Sequence, residues 1–183
     1  MNSSIPFTMI SDYAYCPLSI FCHGLYDGVD QTVFMGERQT RGGIAHKRIE
    51  SGEASSPDVL CSISVASTEV GVHGRIDKYY PAKRGLVESK LRVSEVHDGH
   101  IFQMYAQYFA MEECGYPIGS MSLYSIENHT VYDLALPCEN PEKRDLFFKT
   151  LEEMRNVSPA MLRPRSLKRC NACVYFPLCE WGE

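Results

Sequence analysis

Three cysteines, Cys170, Cys173 and Cys179, form a C-x2-C-x5-C cluster near the end of a 183-residue chain, and a fourth, Cys16, stands beside Pro17 near its start. Cysteines two apart bring their sulfurs close enough to hold one ion or one cluster, and the remaining ligand must come from elsewhere. Cys16 is the candidate; a histidine completing a zinc site is the other reading. With Cys16 as the ligand, the first and last segments meet in space, and the bound metal supplies folding energy that a loop-rich tail lacks. Spacing does not choose between iron-sulfur and zinc. Eight cysteines would be read as disulfides in a small secreted chain. The start, MNSSIPFTMISDY, has no basic segment ahead of an apolar run and no small-residue cleavage site, so a cytoplasmic location with reduced thiols is expected. Cys22, Cys61, Cys114 and Cys138 lie in apolar or strand-like settings and are read as packing residues.

The length fits one domain, residues 1–183, and the 44% apolar and 22% charged residues exclude a disordered chain. No stretch approaches the ~20 apolar residues a membrane helix needs, so no membrane span is expected. The formal charge of -5 argues against coating nucleic acid by bulk electrostatics, yet leaves room for a local basic groove. Periodicity predicts a helix capped by Ser11 through Tyr15, a second opened by Pro17 and stopped by Gly24, and a third over Phe34–Glu50. A meander of three strands is expected from VLCSISVAS (59–67), EVGVHGRIDKYY (69–80) and GLVESKLRV (85–93). An amphipathic helix over His100–Cys114, two strands (120–127 and 129–136) and a surface helix over Glu142–Val157 follow. This order predicts an α/β (α+β) domain around one mixed central β-sheet flanked by helices.

Chemistry gathers on the middle strands. Glu88 and Lys90 are two apart and therefore share a strand face, with Asp77 expected across from them on the preceding strand. Two hard carboxylates bind a divalent cation, which polarises a phosphodiester and lowers the pKa of a bound water; a lysine beside them orients that water or offsets phosphate charge. These are the parts of a metal-dependent nuclease. The competing reading makes the E-x-K the solvated face of an edge strand. His46, in GIAHKRIE, offers an imidazole as a further ligand. Gln103 and Gln107 share a helix face, where amides can bond a phosphate or hold Lys90. Lys83, Arg84, Lys90 and Arg92, with the tail arginines Arg163, Arg165 and Arg169, could make a local phosphate track.

Taken in order, the Cys-Pro at Cys16, G-x-x-H at His46, G-x-I-D at Asp77, E-x-K at Glu88 and Lys90, Q-x-x-x-Q at Gln103 and the terminal cysteines resemble the CRISPR-associated Cas-four nucleases. These are iron-sulfur proteins of the RecB-like branch of the PD-(D/E)xK superfamily. The resemblance implies a PD-(D/E)xK core and a small cluster subdomain built from residues 11–26 together with 160–183. It implies an iron-sulfur cluster, usually 4Fe-4S, on Cys16, Cys170, Cys173 and Cys179, and a Mn or Mg ion on His46, Asp77 and Glu88. Lys90 is then the catalytic lysine and Gln103 the glutamine of the Q-containing motif. The implied activity is exonuclease and endonuclease cutting of single-stranded DNA or overhangs, trimming precursor DNA beside the CRISPR integrase during spacer acquisition. Two departures from the pattern stand out: Gln107 stands where many relatives have tyrosine, with Tyr108 one step later, and Leu18 and Ser19 follow the Cys-Pro where arginine is common. Two other readings are a catalytically silent, cluster-bearing module that measures DNA ends for the integrase, and a zinc-bearing nucleic-acid binder.

Overall fold

The computed structural model describes residues 4–25, 56, 58–158, 162–163, 170, 173, 175–176 and 179. The helix expected over Phe34–Glu50, His46 on it, and the tail residues Arg165, Lys168 and Arg169 lie outside the described residues.

A short strand β1 (Ile5–Pro6) leads into helix α1 (Phe7–Tyr15), which buries Phe7, Ile10 and Tyr13 at helical steps. The helix therefore begins at Phe7 and not at Ser11, because Pro6 serves as N-cap and the buried stripe starts upstream of the serine. It ends where Cys16 precedes Pro17. A residue before proline is pushed into the extended region, and Cys16 sits at φ -151°, ψ 118°. Helix α2 (Ser19–Leu25) follows, and Gly24 lies inside it where a stop was expected.

Six strands form one mixed sheet. Strand β2 (Leu60–Ser67) pairs antiparallel with β3 (Val72–Tyr80) from Leu60↔Tyr79 to Ser67↔Val72. The opposite edge of β3 is shared. Its first residues pair with β1 (Ile5↔Val72, Pro6↔His73) and its last with β4 (Gly85–Lys90) through Lys78↔Val87, Tyr79↔Leu86 and Tyr80↔Gly85. Residues 74–77 lie between these two pairings. Strand β4 then pairs in parallel with β5 (Ser120–Ser125), and β5 antiparallel with β6 (Thr130–Leu134). The expected meander is present, but β4 leaves the sheet at Lys90 and not at Val93: Val93 is buried, its N–H donates to Ser125 Oγ (3.0 Å), and its carbonyl accepts from Tyr132 Oη (3.0 Å).

The parallel β4–β5 pair is joined by helix α3 (Asp98–Glu113), and α4 (Pro141–Asn156) closes the domain. Helix α3 carries two buried stripes. Phe102, Tyr105 and Phe109 meet the ring of Phe147 on α4, at centroid distances of 6.1, 6.0 and 5.9 Å. The other stripe is polar and faces β4. Helix α1 crosses α3 at Gly99, where a Cβ would lie 3.1 Å from the Ser11 carbonyl, so the missing side chain sets the approach. Gly74 is similarly required: a Cβ there would overlap the Phe7 ring. Among the described residues no helix is long and apolar enough to cross a membrane.

Candidate functional site: a buried carboxylate–lysine–amide network

Ile76 and Tyr79, three apart on β3, are both buried in the same core, which strict two-residue alternation forbids. The change of parity occurs between them. The β2–β3 ladder pairs Cys61↔Lys78 and Ile63↔Ile76 but skips the pair between, Ser62 and Asp77, and Ser62 takes a left-handed φ of 56°. Such ladder breaks re-aim a side chain. Here the residue re-aimed is Asp77, which bridges to the strand diverging from β3: its Oδ2 accepts the Ser89 N–H at 2.8 Å.

Glu88 and Lys90, flanking Ser89, project onto α3. Glu88 is 2% exposed. Its Oε1 accepts from Gln103 Nε2 (2.7 Å) and from Lys90 Nζ (2.9 Å), and its Oε2 accepts from Gln107 Nε2 (2.8 Å). Gln103 closes a triangle by taking the Lys90 ammonium on its own Oε1 at 2.9 Å. A buried carboxylate is tolerated only when paired and hydrogen-bonded, and this one has three donors. Gln107 is fully buried and its Oε1 has no hydrogen-bond partner, an orphan acceptor beside the carboxylate. Lys90 has a third N–H not used by Glu88 or Gln103, and its side chain is 22% exposed.

The row continues toward the surface. Gln107 meets Glu88, and Gln103 meets Glu88 and Lys90, so α3 runs antiparallel to β4; one turn further, on the same stripe, lies His100. This imidazole is half-buried, and its pKa is pushed down to about 4 by burial first, then by the Lys90 ammonium and by His97. The N–H of His97 donates to His100 Nδ1 at 3.3 Å, and the two rings stack with centroids 5.5 Å apart. Sequence reasoning passed over His100, although its three-residue step to Gln103 would have found it.

Of the residues read as a nuclease site, Glu88, Lys90 and Gln103 are in direct contact, and Asp77 joins through the backbone of Ser89. His46 lies outside the described residues. Among the described residues no three His, Cys, Asp or Glu side chains are gathered as an ion site. The donors nevertheless suit a hard cation, because Asp77 is half-exposed and Glu88 Oε2 holds only one hydrogen bond. The basic track separates: exposed Lys83 and Arg84 lie at the start of β4 and Lys90 and Arg92 at its end, roughly 20 Å apart at the rise of a strand.

At the other end, the first and last segments meet. Burial raises the thiol pKa of Cys22 to about 11, with Cys179, Cys173 and Cys16 adding to it. Cys173 is raised by burial and by Cys16, Cys179 and Cys170. Tyr175 is pushed up to about 12 by burial, then by Asp12 on α1, Cys22 and Cys173. Cys16, Cys170 and Cys179 therefore all lie near enough to Cys173 to act on it electrostatically, and soft thiols suit an iron-sulfur cluster or zinc. Cys22, read as a packing residue without near partners, is buried but stands among these thiols. Cys114 and Cys138 are exposed and do not pack the core; Cys114 Sγ donates to the Ala66 carbonyl at 3.5 Å.

Neither a scan against protein-family models nor a search of curated proteins returns a match. Among solved structures, that of SSO0001 is similar over 100% of this chain and 88% of that chain, with a TM-score of 0.65 and 15% identity. At that identity the likeness is one of fold, a mixed α/β architecture with a six-stranded sheet flanked by helices.

Proposed function

We infer that this chain is a metal-dependent deoxyribonuclease of the RecB-like, PD-(D/E)xK kind, acting on single-stranded DNA or overhangs. The observation that carries the reading is the 2% exposure of Glu88 inside a network with Lys90 and Gln103, beside Asp77 where β3 and β4 part. A solvated edge strand would not bury its E-x-K, and a core built for stability alone is served as well or better by apolar side chains. Asp77 and Glu88 would hold a Mn or Mg ion with His46, and that ion, when bound, polarises the phosphodiester and lowers the pKa of its water. Lys90, fixed by Gln103 and Glu88, presents its remaining N–H to the attacking water or to a phosphate oxygen. The Cas-four resemblance extends the reading to precursor trimming beside the CRISPR integrase, and to a 4Fe-4S cluster on Cys16, Cys170, Cys173 and Cys179.

The testing variant is Asp77→Asn, whose side-chain oxygen still accepts the Ser89 N–H while the charge is lost. Purified parent protein is expected to cut labelled single-stranded DNA with Mn, and Asp77→Asn to cut at least ~100-fold more slowly at unchanged melting temperature. Equal rates would refute the site. DNA binding without any Asp77-dependent cutting would instead assign the chain to the silent end-measuring class. Independently, Cys173→Ala is expected to yield colourless, poorly soluble protein, whereas anaerobically purified parent is brown from iron–thiolate absorption. A colourless parent containing zinc would transfer the tail to the zinc class.

A further inference from the structure

The polar stripe of α3 does not stop at Gln103. Burial falls along it in one direction: Gln107 0% and Gln103 3% exposed, then Lys90, half-buried His100 and exposed His97. The open end of the network therefore lies at the first turn of α3, and His100 is the side chain of that stripe between the buried network and solvent. Its ring is fixed. Because Nδ1 accepts the His97 N–H, the proton of the neutral imidazole resides on Nε2, at the far side of the ring, where no hydrogen bond among the described residues uses it. Lys90 is close enough to disfavour a charge on this ring.

We propose that His100 is a phosphate-contacting residue, donating its Nε2–H to a nonbridging oxygen of the DNA backbone where the strand enters beside Lys90. This rests on the nuclease reading and adds to it a neutral donor next to the cationic one. A neutral donor suits this position, because a second cation there would repel the Lys90 ammonium that Glu88 and Gln103 hold. The contact orients the strand without reading its bases.

Two substitutions separate this role from simple helix capping. The amide nitrogen of glutamine reaches the position of Nε2, and glutamine at this third helical position is itself a capping-box residue, so His100→Gln supplies a donor without loss of the cap. The amide oxygen of asparagine reaches the position of Nδ1, so His100→Asn keeps the cap and gives up the donor. Binding of a fluorescein-labelled single-stranded oligonucleotide is measured by anisotropy with Ca in place of Mn, across a range of salt concentrations. His100→Asn is expected to bind roughly tenfold more weakly, the size of one hydrogen bond to a charged group, and His100→Gln within about twofold of the parent. The salt slope is expected to stay constant, whereas loss of a cationic contact would lower it by about 0.7. Equal affinities, or the reverse order, would overturn the role of His100 while leaving Asp77-dependent cutting untouched. Absence of that cutting in the parent would overturn the nuclease reading whatever the His100 variants do.

Discussion

Lys90→Ala is expected to slow metal-dependent DNA cutting by roughly two to three orders of magnitude, the loss typical of one preorganised electrostatic donor. The ammonium is positioned by two acceptors, Glu88 Oε1 and Gln103 Oε1, both at 2.9 Å, so its free N–H is aimed at no entropic cost during the reaction. The same change removes one of three donors from a buried carboxylate. Because Gln103 and Gln107 remain bonded to Glu88, and Lys90 is itself partly exposed, the fold should lose about 1–3 kcal/mol and not the larger penalty of a stranded buried charge. Lys90→Arg should fail to restore activity, since a planar guanidinium cannot occupy the compact triangle made with Gln103 and Glu88. Rates on a labelled oligonucleotide with Mn, compared with thermal melting of each variant, check this. Parental cutting by a well-folded Lys90→Ala would remove the lysine from the mechanism.

The largest effect on stability is expected from Phe147→Ala. Phe147 is fully buried and its ring touches Phe102, Tyr105 and Phe109 of α3 and its neighbour Phe148, the last at 5.2 Å. Truncation leaves a cavity among four rigid rings that cannot collapse into it, at a cost of about 3–5 kcal/mol, a large part of the ~5–15 kcal/mol of a typical domain. The midpoint of urea unfolding measures it. Phe148→Ala, on an exposed position of the same helix, should cost much less; similar losses at both positions would mean that α4 is not docked through Phe147.

Much of this architecture was readable in the residues. Strands β2 to β4 carry β-branched residues between turn residues, β5 alternates serine with Met121 and Leu123, and α3 and α4 show helical spacing, so their order and the mixed sheet follow. Strand β1 escaped because two residues carry no period. The start of α1 was misplaced because a capping serine inside a helix looks the same as one at its beginning. In the site, the two-residue step of Glu88 and Lys90 and the four-residue step of Gln103 and Gln107 gave shared faces, but not the burial of Glu88 or the joining of those two faces. That depends on α3 running antiparallel to β4, a tertiary fact. The ladder break at Ser62 and Asp77 had no local signal either, because serine is not a residue that announces a left-handed backbone.

Both β1 and β4 hang on one edge of β3. The strand that receives Ile5 at Val72 carries Asp77 five positions later, and the helix leaving β1 ends at Cys16. The segment that ends at Cys16 and the carboxylate of Asp77 therefore share one strand as their anchor, and the core residues Ile5, Val72 and Ile76 lie between them.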